Sequence, residues 1–139
     1  MFILDTNILS EMMRLSRVPE VAAWMEGQDE DLLFTTAISQ AEVFSGLAIM
    51  ADGRRRRDLE KTAHEMFEEF EGRVLSFDTD AATAYAELYA MRRQAGRPSA
   101  TLDLMIASIA RSHGASMVTR DVGGFDGCGL TLINPWEAS

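Results

Sequence analysis

The chain has 139 residues, which sets a single domain over residues 1–139 as the expectation and leaves enough sequence for a core without staples. Hydrophobic residues at 47% and charged residues at 25% are ordinary for a soluble globular protein, and a lone cysteine, Cys128, excludes an internal disulfide and fits a reducing cytoplasm. The net charge of −9 argues against a general nucleic-acid binder, but Lys61 is the only lysine, and arginine suits bidentate phosphate contact.

Phe2-Ile3-Leu4 reads as a buried strand. No basic stretch or small-residue cleavage site precedes it, so no signal peptide is expected, and no apolar run approaches the ~20 residues of a membrane span. Thr6–Arg14 and Pro19–Gly27 read as short helices, with Pro19 in a first turn and Gly27 as a C-cap. Their large apolar residues (Met12, Met13, Leu15, Val18, Val21, Trp24 and Met25) either face a partner or bury against the body. Leu32–Thr35 reads as a second strand, followed by a helix from about Ser39 to Ala51 carrying Ala41, Phe44, Leu47, Ala48 and Met50. After the Asp52-Gly53 turn, Arg54–Glu71 predicts a long helix with Leu59, Ala63, Met66, Phe67 and Phe70 on one face, stopped by Gly72.

That helix opens on Arg54, Arg55, Arg56 and Arg57. Positive charge at a helix N-terminus is mildly unfavourable, so helix stability does not explain the run. It is either solvated or reserved for substrate. Val74–Phe77 reads as a strand, and Asp78 or Thr79 caps a helix to about Ala95 that ends at Gly96-Arg97-Pro98. Thr101–His113 follows, with Leu102, Met105, Ile106 and Ile109 inward and Gly114 as C-cap. Met117-Val118 and Leu130–Ile133 complete the strands, and Asn134-Pro135-Trp136 ends the pattern. Strands alternating with helices imply an α/β fold of three layers, α/β/α, around a mainly parallel sheet of four or five strands.

In such sheets, sites form beyond the carboxyl ends of the strands. Asp5 and Asp121 follow strands, and Glu42 and Asp103 fall early in helices. Each has a local alternative. Asp5 suits an N-cap, Glu42 stands at capping-box spacing from Ser39, Asp103 suits a first turn, and Asp121 suits a turn before Gly123-Gly124. Capping does not require these acids to meet, whereas a hard divalent cation such as Mg2+ or Mn2+ does. A cation held by carboxylates can activate water and stabilise charge on an attacked phosphate, which makes phosphodiester hydrolysis the indicated chemistry. It would also shield four of the acids behind the net charge. His64, flanked by acids within a helix, and His113, before Gly114, suggest no triad, and no P-loop or zinc pattern occurs.

Met1-Phe2-Ile3-Leu4-Asp5-Thr6-Asn7, Thr36-Ala37-Ile38-Ser39-Gln40-Ala41-Glu42, Asp103-Leu104-Met105-Ile106-Ala107, Thr119-Arg120-Asp121 and Ile133-Asn134-Pro135-Trp136 occur in this order across essentially the whole chain. In these pieces the chain resembles the PIN-domain ribonucleases, and within them the VapC-like toxins of type II toxin–antitoxin systems, of the FitB-like subtype. The resemblance implies a PIN-like domain and a metal-dependent endoribonuclease, usually a homodimer, and cytoplasmic. Asp5, Glu42, Asp103 and Asp121 would be Mg2+ or Mn2+ ligands, directly or through water, with Thr6, Asn7 and Thr119 in support. RNA is the implied substrate, and Arg54, Arg55, Arg56, Arg57 and Arg120 are candidate contacts. An antitoxin that wraps the toxin and fills its acidic pocket, often with an arginine, is the implied partner. Many relatives of this subtype carry Asn at the position of Asp121 and an acid at that of Gly124, for which Asp126 could stand in.

Rival acid-cluster enzymes fit less well. A haloacid-dehalogenase-type phosphatase would need Asp at Asn7, and a receiver domain would need a late lysine where only mid-helix Lys61 exists. A non-catalytic PIN-like module binding RNA or protein is the other alternative.

Overall fold

Five strands, β1 (Phe2–Leu4), β2 (Leu33–Thr36), β3 (Val74–Leu75), β4 (Ser116–Val118) and β5 (Leu132–Ile133), form one sheet in the order β3-β2-β1-β4-β5. The computed structural model describes residues 1–137. Every pairing is parallel, with Ile3 beside both Phe34 and Met117, and Leu4 beside Val118. Successive side chains alternate faces, as a strand requires. Ile3 and Met117 enter one core, while Leu4, Leu33 and Val118 enter the other.

Among the described residues, seven α-helices cover the two faces: α1 (Thr6–Met12), α2 (Pro19–Glu26), α3 (Ala37–Ala48), α4 (Arg54–Glu69), α5 (Thr79–Gln94), α6 (Thr101–Ser112) and α7 (Val122–Phe125). Helices α1 to α4 pack their apolar residues on the Leu4 face, and α5, α6 and α7 on the Ile3 face. From β1 the chain winds outward through β2 to β3, then crosses back to β4 and β5 on the other side of β1. The direction of winding therefore reverses between β1 and β4, the place where parallel sheets open a crevice at their carboxyl ends. No helix among the described residues is long and apolar enough to cross a membrane.

The expected three-layer α/β architecture is present, and the sheet is wholly parallel. Several boundaries and faces differ from expectation. A 3-10 turn over Glu30–Leu32 takes Leu32 out of β2, because Asp29 accepts a hydrogen bond from the Asp31 N–H at 3.0 Å. α3 starts at Ala37 rather than Ser39, since the Thr36 hydroxyl accepts from the Ser39 N–H at 3.1 Å and serves as N-cap. On α3, Ser39, Val43 and Leu47 are buried while Ala41 and Ala48 are exposed. On α6, Leu102 is 46% exposed, and the inward face is Leu104, Ile106, Ala107 and Ile109. Strands expected over Val74–Phe77 and Leu130–Ile133 shorten to their paired residues.

The apolar residues of α1 and α2 mostly bury against the body. Val21 is buried, Met12, Met13, Trp24 and Met25 pack on the Leu4-side core, and Trp24 sets its ring edge-on to Phe2 at 5.3 Å. Leu15, in the loop between the helices, is fully exposed.

Candidate active site

Asp5 leaves β1 with its N–H bonded to the Val118 carbonyl at 2.9 Å, so the first acid is tied to the neighbouring strand β4. It is the N-cap of α1, as its position suggests, and it is also 95% withdrawn from solvent, with only 5% exposed. Oδ1 accepts from the Thr6 N–H at 2.8 Å, whereas Oδ2 accepts from the Thr119 hydroxyl at 2.8 Å and the Asn7 amide at 3.3 Å. A cap needs only the first of these bonds. Thr119 is fully buried and in turn accepts from the Asp121 N–H at 3.0 Å, which links the ends of β1 and β4 through one hydroxyl. The Asn7 side-chain oxygen accepts from the Arg120 N–H at 3.3 Å.

Glu42 lies in the second turn of α3 and does not close a capping box, because Thr36 occupies the cap. Its Oε1 accepts from the Thr6 hydroxyl at 2.8 Å, and that hydroxyl stands 3.0 Å from Ser39 Oγ. Ser39 is fully buried and joins the support of the site, a role absent from the expected set. Its only trace in the sequence is the Thr36-x-x-Ser39 spacing, which is equally that of an ordinary N-cap. Asp103 is half-buried in the first turn of α6, behind an N-cap residue, Ala100, that offers no side-chain bond. Asp121 is exposed and caps α7, its Oδ1 accepting from the Gly124 N–H at 3.1 Å.

The four carboxylates feel one another. Burial pushes the Asp5 carboxyl up to about 6; hydrogen bonds from Thr119 and Thr6 oppose this, and the charges of Asp103 and Glu42 add to it. The Asp103 carboxyl is also raised, by burial first and then by Glu42 and Asp121. Asp103 thus connects the inner acids to the outer one. Such mutual repulsion favours either a proton or a cation between the carboxylates. All the donors are hard oxygens, which suit Mg2+ or Mn2+ and not soft metals. Among the described residues, no three His, Cys, Asp or Glu side chains form a ready-made cage. An ion that retains several waters needs only one or two direct carboxylates, so the donor set fits such an ion.

Gly124 has a definite part in this arrangement. A Cβ there would stand 2.5 Å from Asp121 Oδ2, so a side chain at position 124 would make the Asp121 carboxylate shift from its present place. Asp126 faces Arg97 at 3.1 Å, and its carboxylate is drawn to that ion pair. His64 is exposed beside Phe44, and His113 is exposed at the end of α6.

The arginine run divides. Arg54 and Arg55 line an open groove of about 1000 Å³ whose inner end is formed by Thr6 and Glu42 and whose floor includes Met13, Val43 and Leu47. Arg56 instead pairs with Glu60 at 2.6 Å and donates to the Met50 carbonyl at 3.3 Å, closing the turn between α3 and α4. Arg57 is exposed and is not among the groove's lining residues. Arg120, also exposed, lies 5.1 Å over the Trp136 ring, beside Asp121 in sequence.

Comparison with known proteins identifies the fold and the family. The family model described as PIN domain matches residues 2–126. The chain is 42% identical to "Plasmid stability protein StbB" of Pseudomonas syringae pv. tomato, over 99% of this chain and 100% of that one. It is 39% identical to "VapC ribonuclease Y4jK" of Sinorhizobium fredii, over 99% of each. The crystal structure of FitAcB from Neisseria gonorrhoeae superposes with a TM-score of 0.92 at 31% identity, covering 99% of this chain and 100% of that one.

Proposed function

We propose, from the premise that the chain belongs to the PIN-domain family, that it is an Mg2+- or Mn2+-dependent endoribonuclease acting as the toxin of a toxin–antitoxin pair. Its nuclease domain spans 1–139 and works in the cytoplasm, as a homodimer. The observation that carries this reading is the electrostatic linkage of Asp5, Glu42, Asp103 and Asp121 at the β1/β4 switch point. Four acids serving only their own helices would have no cause to share a crevice.

Asp5 and Asp103 would hold the cation, with Glu42 and Asp121 completing its surroundings directly or through water. A bound cation supplies charge stabilisation for the attacked phosphate and lowers the pKa of water. The chain's own residues do the rest. Thr119, Asn7 and the Thr6 N–H fix the Asp5 carboxylate. The Thr6 hydroxyl fixes Glu42 through Oε1, which leaves Oε2 to orient the attacking water and accept its proton. The water oxygen bonds to phosphorus, the phosphorus bond to the departing ribose oxygen breaks, and the RNA strand is cut. Arg54 and Arg55 line the groove leading to Glu42 and would hold the RNA backbone, with Arg120 on the far side of the cluster.

The same groove supports the partner reading. A groove lined by Met13, Val43 and Leu47 that also carries Glu42, the one acid of the cluster in its lining, suits an antitoxin segment that is apolar along its length and brings an arginine to the acids.

The test is cleavage of total RNA by antitoxin-free protein in Mg2+ or Mn2+ against chelator, beside Asp5→Asn. Discrete fragments that require both the cation and Asp5 are expected. A folded protein that cuts no RNA under any cation would leave a binding module and remove the nuclease.

A further inference from the structure

α7 is a four-residue helix, too short to be stable by itself, yet it carries Asp121 at its start. What holds it lies in another part of the fold. Arg92, in the last turn of α5, is only 7% exposed. Its Nε donates to Ser99 Oγ at 2.9 Å, and its Nη1 donates to the Asp126 carbonyl just beyond α7. The Ser99 hydroxyl donates in turn to the Gly124 carbonyl at 3.4 Å. Ser99 belongs to the loop leading into α6, whose first turn bears Asp103. Arg97, also in that loop, adds the exposed pair to Asp126.

A buried guanidinium costs free energy unless its donors are satisfied, and an apolar residue of similar size would fill the same space. The bonds of Arg92 are therefore better explained by what they join than by core stability. They tie the segment before Asp103 to the second half of α7 and its C-cap, at the Gly124 and Asp126 carbonyls. The same tie keeps the Gly124 N–H where Asp121 accepts it.

We propose that Arg92, acting with Ser99, is a positioning residue that fixes the separation of Asp103 and Asp121 and thereby the cation affinity of the acid cluster. The proposal rests on the cluster being a cation site. Arg92 bonds to Ser99 and the Asp126 carbonyl and acts on the acids through them. Lysine at position 92 keeps the charge but lacks the fork that reaches Ser99 and the Asp126 carbonyl together.

The experiment is Mn2+ titration of the metal-free protein, with RNA cleavage read in parallel, for wild type, Arg92→Lys and Ser99→Ala. Each variant is also made in an Asp121→Ala background, and melting curves confirm folding. Loss of such supporting contacts lowers metal affinity by about tenfold or more, and about tenfold is expected for Arg92→Lys and about threefold for Ser99→Ala. In the Asp121→Ala background each change should have less than about a twofold effect, because the carboxylate they position is absent. Unchanged Mn2+ affinity in Arg92→Lys, or an equal loss in both backgrounds, overturns the positioning role. If Arg92→Lys fails to fold, the Ser99→Ala cycle decides by the same criterion. Failure of the underlying reading looks different: wild type and Asp5→Asn would then take up Mn2+ equally.

Discussion

Asp5 and Asp121 each follow one of two adjacent parallel strands and cap the next helix, Asp5 directly after β1 and Asp121 three residues past the end of β4, and they differ in almost everything else. Asp5 is buried, accepts three hydrogen bonds and opens a seven-residue helix. Asp121 is exposed, accepts one bond from Gly124 and opens a four-residue helix held by a distant arginine. A helix cap therefore says little about function. Burial and the number of donors separate a rigid inner carboxylate from an adjustable outer one.

The largest effect should come from Asp5→Asn. The change is nearly isosteric, and Oδ1 can still accept from the Thr6 N–H, so cleavage should vanish while the fold persists. The same variant tests the charge. Asp5 is raised from 3.8 to about 6 in the folded protein, so the folded state holds its proton more tightly than the unfolded state does. The stability this gives is full below pH 3.8, declines between there and about 6, and is gone above it. In metal-free protein the loss is on the order of 3 kcal/mol from this residue, at about 1.4 kcal/mol per pH unit. Urea melts should show the wild type losing stability relative to Asp5→Asn between about pH 4 and pH 7. Parallel curves would mean that Asp5 is not held as the structure indicates.

Next comes the cation. Mn2+ competes with the Asp5 proton, so it should raise the melting temperature more at about pH 7.5 than at about pH 5. An equal rise at both would place the ion away from Asp5.

Gly124→Ala should follow in size. Its Cβ would stand 2.5 Å from Asp121 Oδ2, so the outer carboxylate must move, whereas a Cβ at Gly123 meets nothing within 4 Å. Mn2+ affinity should fall by about tenfold in Gly124→Ala and stay unchanged in Gly123→Ala. Matched results for the two glycines would break the contrast between inner and outer acids. Asp121→Asn should have a smaller effect, a few-fold in Mn2+ affinity, since Asn keeps both a side-chain oxygen and the cap to Gly124.

The smallest effects belong to the arginine run. Arg54→Ala and Arg55→Ala should weaken RNA binding and flatten its salt dependence without changing the melting temperature. Arg56→Ala should do the reverse, costing about 1 kcal/mol through the lost Glu60 and Met50 contacts.

Much of this was legible in the chain. The apolar runs around Ile3, Phe34 and Met117 marked strands because a buried parallel strand needs continuous hydrophobicity. Leu59, Ala63, Met66 and Phe70 marked α4 because its period is helical and its other face is solvated. Arg54 to Arg57, uniform in the sequence, divide only once α4 is set against α3. Ser39 looked like a cap and is a buried partner of Thr6, because α3 begins two residues earlier, at Ala37, with Thr36 as its cap. No local signal separates Arg92 from Arg93, yet Arg92 is buried and Arg93 exposed.

The sequence by itself determined the elements, their alternation and the identity of the four acids, since each follows from short-range periodicity, capping and residue type. The tertiary structure decided which groups share a hydrogen bond or a charge. Thr119 reaches Asp5 across 114 residues, and Thr6 reaches Glu42 across 36. Such pairs exist only because β1 lies between β2 and β4 in a particular register, and no local signal encodes that register.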